Sequence, residues 1–411
     1  MSTLDRTERS LRGAPQASRA PLLERIAVPM LERALETLGG GTLEVRLPGG
    51  DVRRFGSGRT ESLTIHDDAF FRRVATRGKL GVGESYTAGE WDSDDLVGLL
   101  ELLLRNAASA AERHSGVRRL LEARPRLNRR NGMLRARRNI AYHYDLGNDL
   151  FQLMLDETMT YSCAVFDPAD EPLEDAQRRK YRRICEQLQL TAGDRVLEIG
   201  CGWGGFAHFA ASEYGCSVTG LTISAEQAAL ARERTRGLDV RIREEDYRRH
   251  RGSYTKVASI EMLEAIGEKQ FGTYFETIDR LLEPGGIACV QTILIPDNRW
   301  ERYRKSPDWI ERYVFPGCLI PSLTALTRAM TENSRLMVHE VDEIGSHYAE
   351  TLRRWRASFL SQIDEVRALG YDHRFERTWD FYLAFCEAAF RTRALRDVQL
   401  TLTRPFNEAL A

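Results

Sequence analysis

The chain of 411 residues contains no apolar run approaching the 18 or so residues needed to cross a bilayer. Its N-terminus, Met1-Ser2-Thr3-Leu4-Asp5-Arg6, is polar and lacks the apolar core of a secretory signal. A cytoplasmic protein is expected, and a membrane lipid would have to be reached from the water side, by peripheral association with the inner face. The seven cysteines (Cys163, Cys185, Cys201, Cys216, Cys289, Cys318 and Cys386) are odd in number and form no C-x-x-C pair. Reduced thiols fit that pattern better than a disulfide framework. Histidines such as His208, His250 and His373 stand alone, without metal-ligand spacing, so no metal is expected. Net charge is −1, which removes any global field toward nucleic acid. No internal repeat or low-complexity tract is evident.

What the chain does have is a glycine-rich turn. Residues 196–205 read Val-Leu-Glu-Ile-Gly-Cys-Gly-Trp-Gly-Gly, a buried-strand pattern running into Gly200, Gly202, Gly204 and Gly205. Such a turn lets backbone N–H groups approach a ligand at the start of the next helix. It satisfies the dinucleotide pattern G-x-G-x-x-G, but a ribose-binding acid should follow about 20 residues on. That region reads Gly220-Leu221-Thr222-Ile223-Ser224, with no carboxylate, which argues against NAD. Glu198, two residues before the first glycine, can instead accept hydrogen bonds from a ligand amine.

Further strands are expected at Ser217–Leu221, Asp239–Arg243, Lys256–Ile260 and Ile287–Leu294, the last launched by the turn Pro284-Gly285-Gly286. Strands alternating with helices predict a doubly wound, Rossmann-like α/β sheet with its ligand at the carboxyl ends of the strands. Thr222, Gln227, Glu245, Asp246 and Glu264 all fall there, beside the glycine turn. This convergence favours S-adenosylmethionine as the ligand.

The N-terminal part reads differently. Residues 1–20 look disordered, and Pro21–Leu38 reads as an amphipathic helix. Leu43–Leu47 and Val52–Phe55 flank Pro48-Gly49-Gly50-Asp51, a hairpin signal. Helices are expected over Asp67–Arg77 and Asp94–Ala111, with a turn-rich strip at Gly78–Trp91 between them. Residues 21–112 thus form a small α+β domain without catalytic motifs. From Arg113 to Arg138 there are ten arginines and one acid, Glu122. A solvated linker at 113–138, a foot on anionic phospholipid and nucleic-acid binding are the three readings; no aromatic interleaving supports the last. The catalytic domain is expected over 139–411.

The chain resembles the cyclopropane fatty acid synthases and mycolic acid cyclopropane synthases. The likeness covers about residues 135–405, and more weakly 20–105. It rests on Tyr142–Phe151, Met159–Ala164, Glu198–Gly205, Gly220–Ser224 and Glu261-Met262-Leu263-Glu264. It continues through Phe315-Pro316-Gly317, Ile320-Pro321-Ser322, His347–Leu352 and the closing Ala384-Phe385-Cys386-Glu387. The resemblance implies a class I methyltransferase that adds a methylene unit from S-adenosylmethionine to the cis double bond of unsaturated phospholipid acyl chains. It also implies that the N-terminal domain handles lipid. The donor would be held by Tyr161, Ser162, Glu198, Gly200, Gly202, Trp203, Gly204, Thr222, Ile223, Gln227, Glu245 and Asp246. A homodimer is one arrangement left open.

Methyl transfer to an alkene makes a carbocation, which closes the ring by losing a proton from the new methyl group. The pocket must be dry, tolerate positive charge and hold a base. Aromatic faces stabilise a cation without attacking it, and Tyr142, Tyr144, Phe151, Tyr161 and Tyr348 are candidates. The resemblance implies a bound bicarbonate as base, caged by Cys163, Glu264, the backbone at Ile293, and Tyr348. Where the family often has histidine, this chain has Gln291, and the residue after the glutamate is Ala265. A Gln amide can donate to a bicarbonate oxygen but cannot relay a proton. Loss of the base would instead give a methylene- or methyl-branched chain. A non-catalytic lipid-binding protein on the same shell is the alternative of another class. Cys386, which the resemblance marks as active, sits among Phe and Ala where a thiol is ordinarily packing. An insertion at about 297–335 is expected to form a lid, with Trp300 and Trp309 either at the headgroup level of a bilayer or packed on the sheet.

Overall fold

The computed structural model describes residues 35–113 and 147–410 apart from 307, together with 29; residues 107–113 are described as backbone alone. The segment expected to be disordered, most of the helix expected at 21–38, the basic run after Arg113, Tyr142 and Tyr144 lie outside these residues.

Near the N-terminus, β1 (Thr42–Arg46) and β2 (Val52–Gly56) form the expected antiparallel hairpin. β3 (Thr60–Ile65) then runs parallel to β1, and β4 (Trp91–Asp92) closes the sheet against β3. The helices are α1 (Ala69–Arg77), α2 (Lys79–Thr87) and α3 (Leu96–Arg113). The strip expected to be turns at 78–91 is mostly α2. Its glycines provide room rather than turns. A Cβ on Gly81 would lie 2.3 Å from the Arg73 carbonyl oxygen, and one on Gly83 would lie 2.6 Å from the Trp309 indole.

The second part begins with α4 (Asn148–Met154) and α5 (Leu173–Gln187). It then alternates through β5 (Arg195–Ile199), α6 (Gly205–Tyr214), β6 (Ser217–Thr222), α7 (Ala225–Arg234), β7 (Val240–Glu244) and β8 (Tyr254–Ile260). α8 (Phe271–Leu281) leads directly into β9 (Leu282–Leu294). The Pro284-Gly285-Gly286 turn is therefore an irregularity within the strand, where the register with β8 shifts, rather than its launch point. α9 (Asp297–Tyr303), α10 (Trp309–Tyr313) and α11 (Leu323–Asn333) follow. The chain ends with β10 (Met337–Glu343), α12 (Gly345–Ser361), α13 (Ile363–Ala368), α14 (His373–Arg391) and β11 (Arg396–Thr403).

The sheet order is β10-β11-β9-β8-β5-β6-β7. The five strands expected from sequence form its parallel part, with β5 central. β11 inserts antiparallel beside β9, and β10 pairs antiparallel with β11. This edge had no counterpart in the reading of the sequence, because both strands follow long helical stretches. It matters for the site: the pairing sets Asp397 opposite Ile293 and Gln399 opposite Gln291.

The small domain packs on α14. The buried Tyr86 hydroxyl donates to Asp380 at 2.5 Å. The Arg377 guanidinium lies 4.0 Å from the centre of the Tyr86 ring and donates to the Trp91 carbonyl.

Candidate active site

At the carboxyl ends of β5, β6 and β8 lies a cavity of about 310 Å³. One end is built from the glycine turn. Gly200, Gly202 and Gly204 have φ of 86°, 50° and 83°, a left-handed backbone that costs glycine nothing. No atom would meet a Cβ at Gly202 within 4 Å, so that position faces open space, and Gly205 and Phe206, the first residues of α6, line the cavity. Trp203 is fixed by donating to Asn148 Oδ1 at 2.7 Å and by packing on Phe151. Thr222 donates to Gln227 Oε1 at 2.8 Å, and Ser224 caps α7 by accepting from the Gln227 amide. Asp246 is paired with Arg248, and Glu245 contacts His250.

Glu198 is buried, and its Oε2 has no hydrogen-bond partner among the described residues. Burial pushes its carboxyl up to about 8. A cationic amine beside it would restore its charge and fill that open valence. These features fit the amino-acid end of S-adenosylmethionine.

The other end holds carboxylates. Glu264 Oε1 accepts from the Ile293 amide at 2.5 Å and from the Thr292 hydroxyl at 2.9 Å. Its Oε2 has no partner among the described residues. Burial, and then the charge of Glu261, push it up to about 8. Glu261 accepts from the Cys163 amide at 2.8 Å, from Gln291 Nε2 at 2.8 Å and from the Tyr348 hydroxyl at 2.5 Å. Behind it, the fully buried Asp397 accepts from Gln291 Nε2 at 3.0 Å. Burial and the neighbouring Glu261 hold Asp397 well above the usual carboxylate range. Buried Lys180 donates to Ser162 Oγ at 2.7 Å; burial lowers it to about 8, opposed by Glu261.

Between the two ends the walls are apolar and aromatic, with Tyr161, Phe315, Tyr348, Tyr382 and Phe390 facing the space. Tyr161 and Tyr382 are joined hydroxyl to hydroxyl at 2.8 Å. The 297–335 segment contributes Ile310, Phe315 and Ile320 to one wall. Its tryptophans are packed rather than presented to solvent: Trp300 and Trp309 are 8% and 6% exposed, Trp309 lying against Phe381. The headgroup-level reading of this pair is therefore replaced by the packed one.

Of the expected donor-binding residues, all but Gly204 line the cavity. Gly204 instead brings α6 onto α7, where a Cβ would lie 3.0 Å from Ala231. Of the expected catalytic residues, Glu264, Ile293, Tyr348 and Cys386 line it, while Cys163 and Gln291 do not. The Cys163 thiol points at the Ala164 carbonyl, and only its backbone N–H serves the site. Burial pushes the Cys386 thiol up, away from the thiolate form, and it lies in the cavity wall. Of the expected aromatics, Phe151 lies in the core, away from the cavity.

The bicarbonate cage does not fit these residues. Both protons of the Gln291 amide group go to Glu261 and Asp397, the Tyr348 hydroxyl goes to Glu261, and the Ile293 amide goes to Glu264. A second anion about 4 Å from a charged carboxylate would face roughly 4 kcal/mol of repulsion at an effective dielectric near 20. Glu261 was legible in the sequence only as part of a motif, without a role. The signal that could have found it is the one that marked Glu198, an acid at the carboxyl end of an apolar strand. Tyr382 and Phe390 were missed because nothing local in α14 marks the face that meets the cavity.

A family model described as mycolic acid cyclopropane synthetase matches residues 132–400. The chain is 40% identical over 359 residues to the tuberculostearic acid methyltransferase UfaA1 of Mycobacterium tuberculosis, covering 84% of each. It is also 40% identical over 348 residues to the cyclopropane-fatty-acyl-phospholipid synthase of Escherichia coli, covering 85% of this chain and 89% of that protein. Among solved structures, the mycolic acid cyclopropane synthase CmaA1 complexed with SAH and CTAB matches with a TM-score of 0.60 at 29% identity, over 65% of this chain and 97% of that one. With the strand order, the glycine turn and the carboxylate-lined cavity, these likenesses place the chain in the mycolic acid cyclopropane synthetase family, as an S-adenosylmethionine-dependent methyltransferase.

Proposed function

We propose that the protein transfers a methylene unit from S-adenosylmethionine to the cis double bond of unsaturated phospholipid acyl chains, closing a cyclopropane ring. The observation that carries this reading is one cavity that joins the glycine turn, through aromatic walls, to a pair of carboxylates. The Escherichia coli relative is named for this reaction on phospholipid chains, which supports the substrate class.

An isolated alkene is a weak nucleophile, so rate depends on holding it in line with the donor methyl at near-attack distance. S-adenosylmethionine supplies the electrophilic methyl group. Glu198, Thr222, Gln227 and the α6 N-terminus would hold its polar end, leaving the methyl directed toward the apolar part of the cavity. The faces of Tyr161, Tyr348, Tyr382 and Phe390 would stabilise the cation formed on the chain. Exclusion of water by this wall protects the cation until a proton leaves. Bicarbonate is not carried into the proposal, because its expected donors are already committed.

A second reading within the same chemistry is a methyl- or methylene-branched product. It is favoured by equal identity to the tuberculostearic acid methyltransferase. Approach from the water side at a membrane surface belongs to either reading; no helix among the described residues is long and apolar enough to cross a membrane. Expression in cells with unsaturated phospholipids is expected to move label from S-adenosylmethionine into the phospholipid fraction and to add the mass of one CH2 to unsaturated chains. Chain analysis after hydrogenation separates ring from branch. A lipid profile without added mass or label would leave only a non-catalytic binding shell.

A further inference from the structure

We propose that the Glu261 carboxylate is the base of this enzyme, a protein group standing where a bound anion would otherwise take the proton. The inference rests on the methyl transfer proposed above. Glu261 lies at the carboxyl end of β8 and lines the cavity that holds the reacting chain in that reading. Its backbone has φ of 48°, a left-handed conformation that non-glycine residues seldom adopt. Strain of this kind persists where the surroundings over-determine it, and often at functional sites. Here the surroundings are specific. The Glu261 amide donates to the Gln291 carbonyl at 2.9 Å, and the side chain receives three donors.

Those donors are the Cys163 backbone, the position-291 side chain and the Tyr348 hydroxyl. They belong to three of the residues that the family resemblance places around a bound anion. A carboxylate is a planar anion with two acceptor oxygens, so a tethered one uses the same cradle. Gln291 at this position can donate to both Glu261 and Asp397 at once, and its own Oε1 accepts from Gln399 at 3.1 Å. The amide is thereby fixed as a strut between two acids. Burial raises the Glu261 carboxyl, opposed by the hydrogen bonds from Tyr348 and Cys163, which favour its charged form, while burial and the neighbouring Glu261 hold Asp397, deeper in the protein, well above the usual carboxylate range.

The step balances as follows. The alkene pair forms a new C–C bond to the donor methyl as the S–CH3 bond breaks, leaving S-adenosylhomocysteine and a cation on the acyl chain. A C–H bond of the new methyl then breaks. Its electron pair closes the third C–C bond of the ring, and its proton goes to a Glu261 oxygen. If instead a hydride first shifts to the cationic carbon, loss of a methyl proton to the same oxygen gives a methylene branch.

The test uses the purified full chain with vesicles of dioleoyl phosphatidylglycerol and methyl-labelled S-adenosylmethionine, assayed in CO2-free buffer and after bicarbonate is restored. Wild-type transfer is expected to be unchanged by bicarbonate. Glu261→Gln should lose roughly 10²- to 10⁴-fold in rate, in the range of a removed general base, with donor binding by calorimetry retained. Glu261→Gly should be inactive alone and regain part of its rate with bicarbonate or formate. Wild-type activity that collapses without bicarbonate overturns the proposal even if no variant folds, as does near-normal turnover in Glu261→Gln. Wild-type enzyme that moves no label under either condition overturns the methyl-transfer reading itself, which separates the two failures.

Discussion

The two ends of the cavity are built on opposite plans. The donor end is the more local: its centre, β5, the glycine turn and the start of α6, is continuous in sequence, with Thr222, Gln227, Glu245 and Asp246 added from the next two strand ends. The acid end is assembled from β8, β9, β11, α12 and the segment before α5, whose residues span 163 to 397. A local site tolerates change around it as long as its own turn survives. A dispersed site depends on every element that carries one of its donors, and Gln291 alone ties two of its acids together.

That contrast can be broken most forcefully at the acid end. Tyr348→Phe removes the hydroxyl that orients the Glu261 carboxylate and favours its charged form, and a misplaced general base forfeits up to the roughly 10²- to 10⁴-fold that such a group supplies. Turnover is expected to fall at least a hundredfold, with donor affinity unchanged. Equal losses in rate and donor affinity would show that the two ends are not independent.

At the donor end, Gly202→Val places a β-branched residue at φ of 50° and fills the space beside the turn. Calorimetry is expected to show S-adenosylmethionine binding weakened by tenfold or more, while far-UV circular dichroism is retained. Wild-type affinity would remove the turn from the donor site.

A smaller effect sharpens the role of Glu198. Its carboxyl sits at about 8, so below that pH it is largely protonated, and pairing with a donor ammonium requires it to release the proton. Donor affinity should therefore rise with pH, by at most about tenfold per unit, and level off above about 8. Glu198→Gln should flatten that profile. A profile identical in both proteins would place the ammonium elsewhere.

The smallest change is expected outside the cavity. Tyr86→Phe leaves Asp380 with Arg356 but without its buried hydroxyl donor. Thermal or denaturant unfolding should show a loss of about 1–3 kcal/mol, with turnover barely altered. A large fall in turnover instead would mean that the small domain positions α14, and through it Tyr382, for catalysis.

Legibility followed the same division. The parallel strands were readable because four are short, largely apolar stretches with a polar or glycine end, and the edge strand β7 alternates apolar residues with arginine. The small domain's hairpin was readable from its turn. α2 was misread because Gly81 and Gly83 look like turn residues until Trp309 and Arg73 are brought against them. Gln291 could be seen as a departure, yet the meaning of that departure needed Asp397 and Gln399, more than 100 residues away in sequence.

By itself the sequence determined the parallel sheet, the donor-binding turn and the family, because each is written in contiguous residues whose backbone preferences and periodicity act over a few positions. Only the tertiary structure decided which acid receives the donors of the expected anion cage. Hydrogen bonds are set by distance and direction in space, and those of Glu261 come from Cys163, Gln291 and Tyr348, which only the closed fold brings within reach.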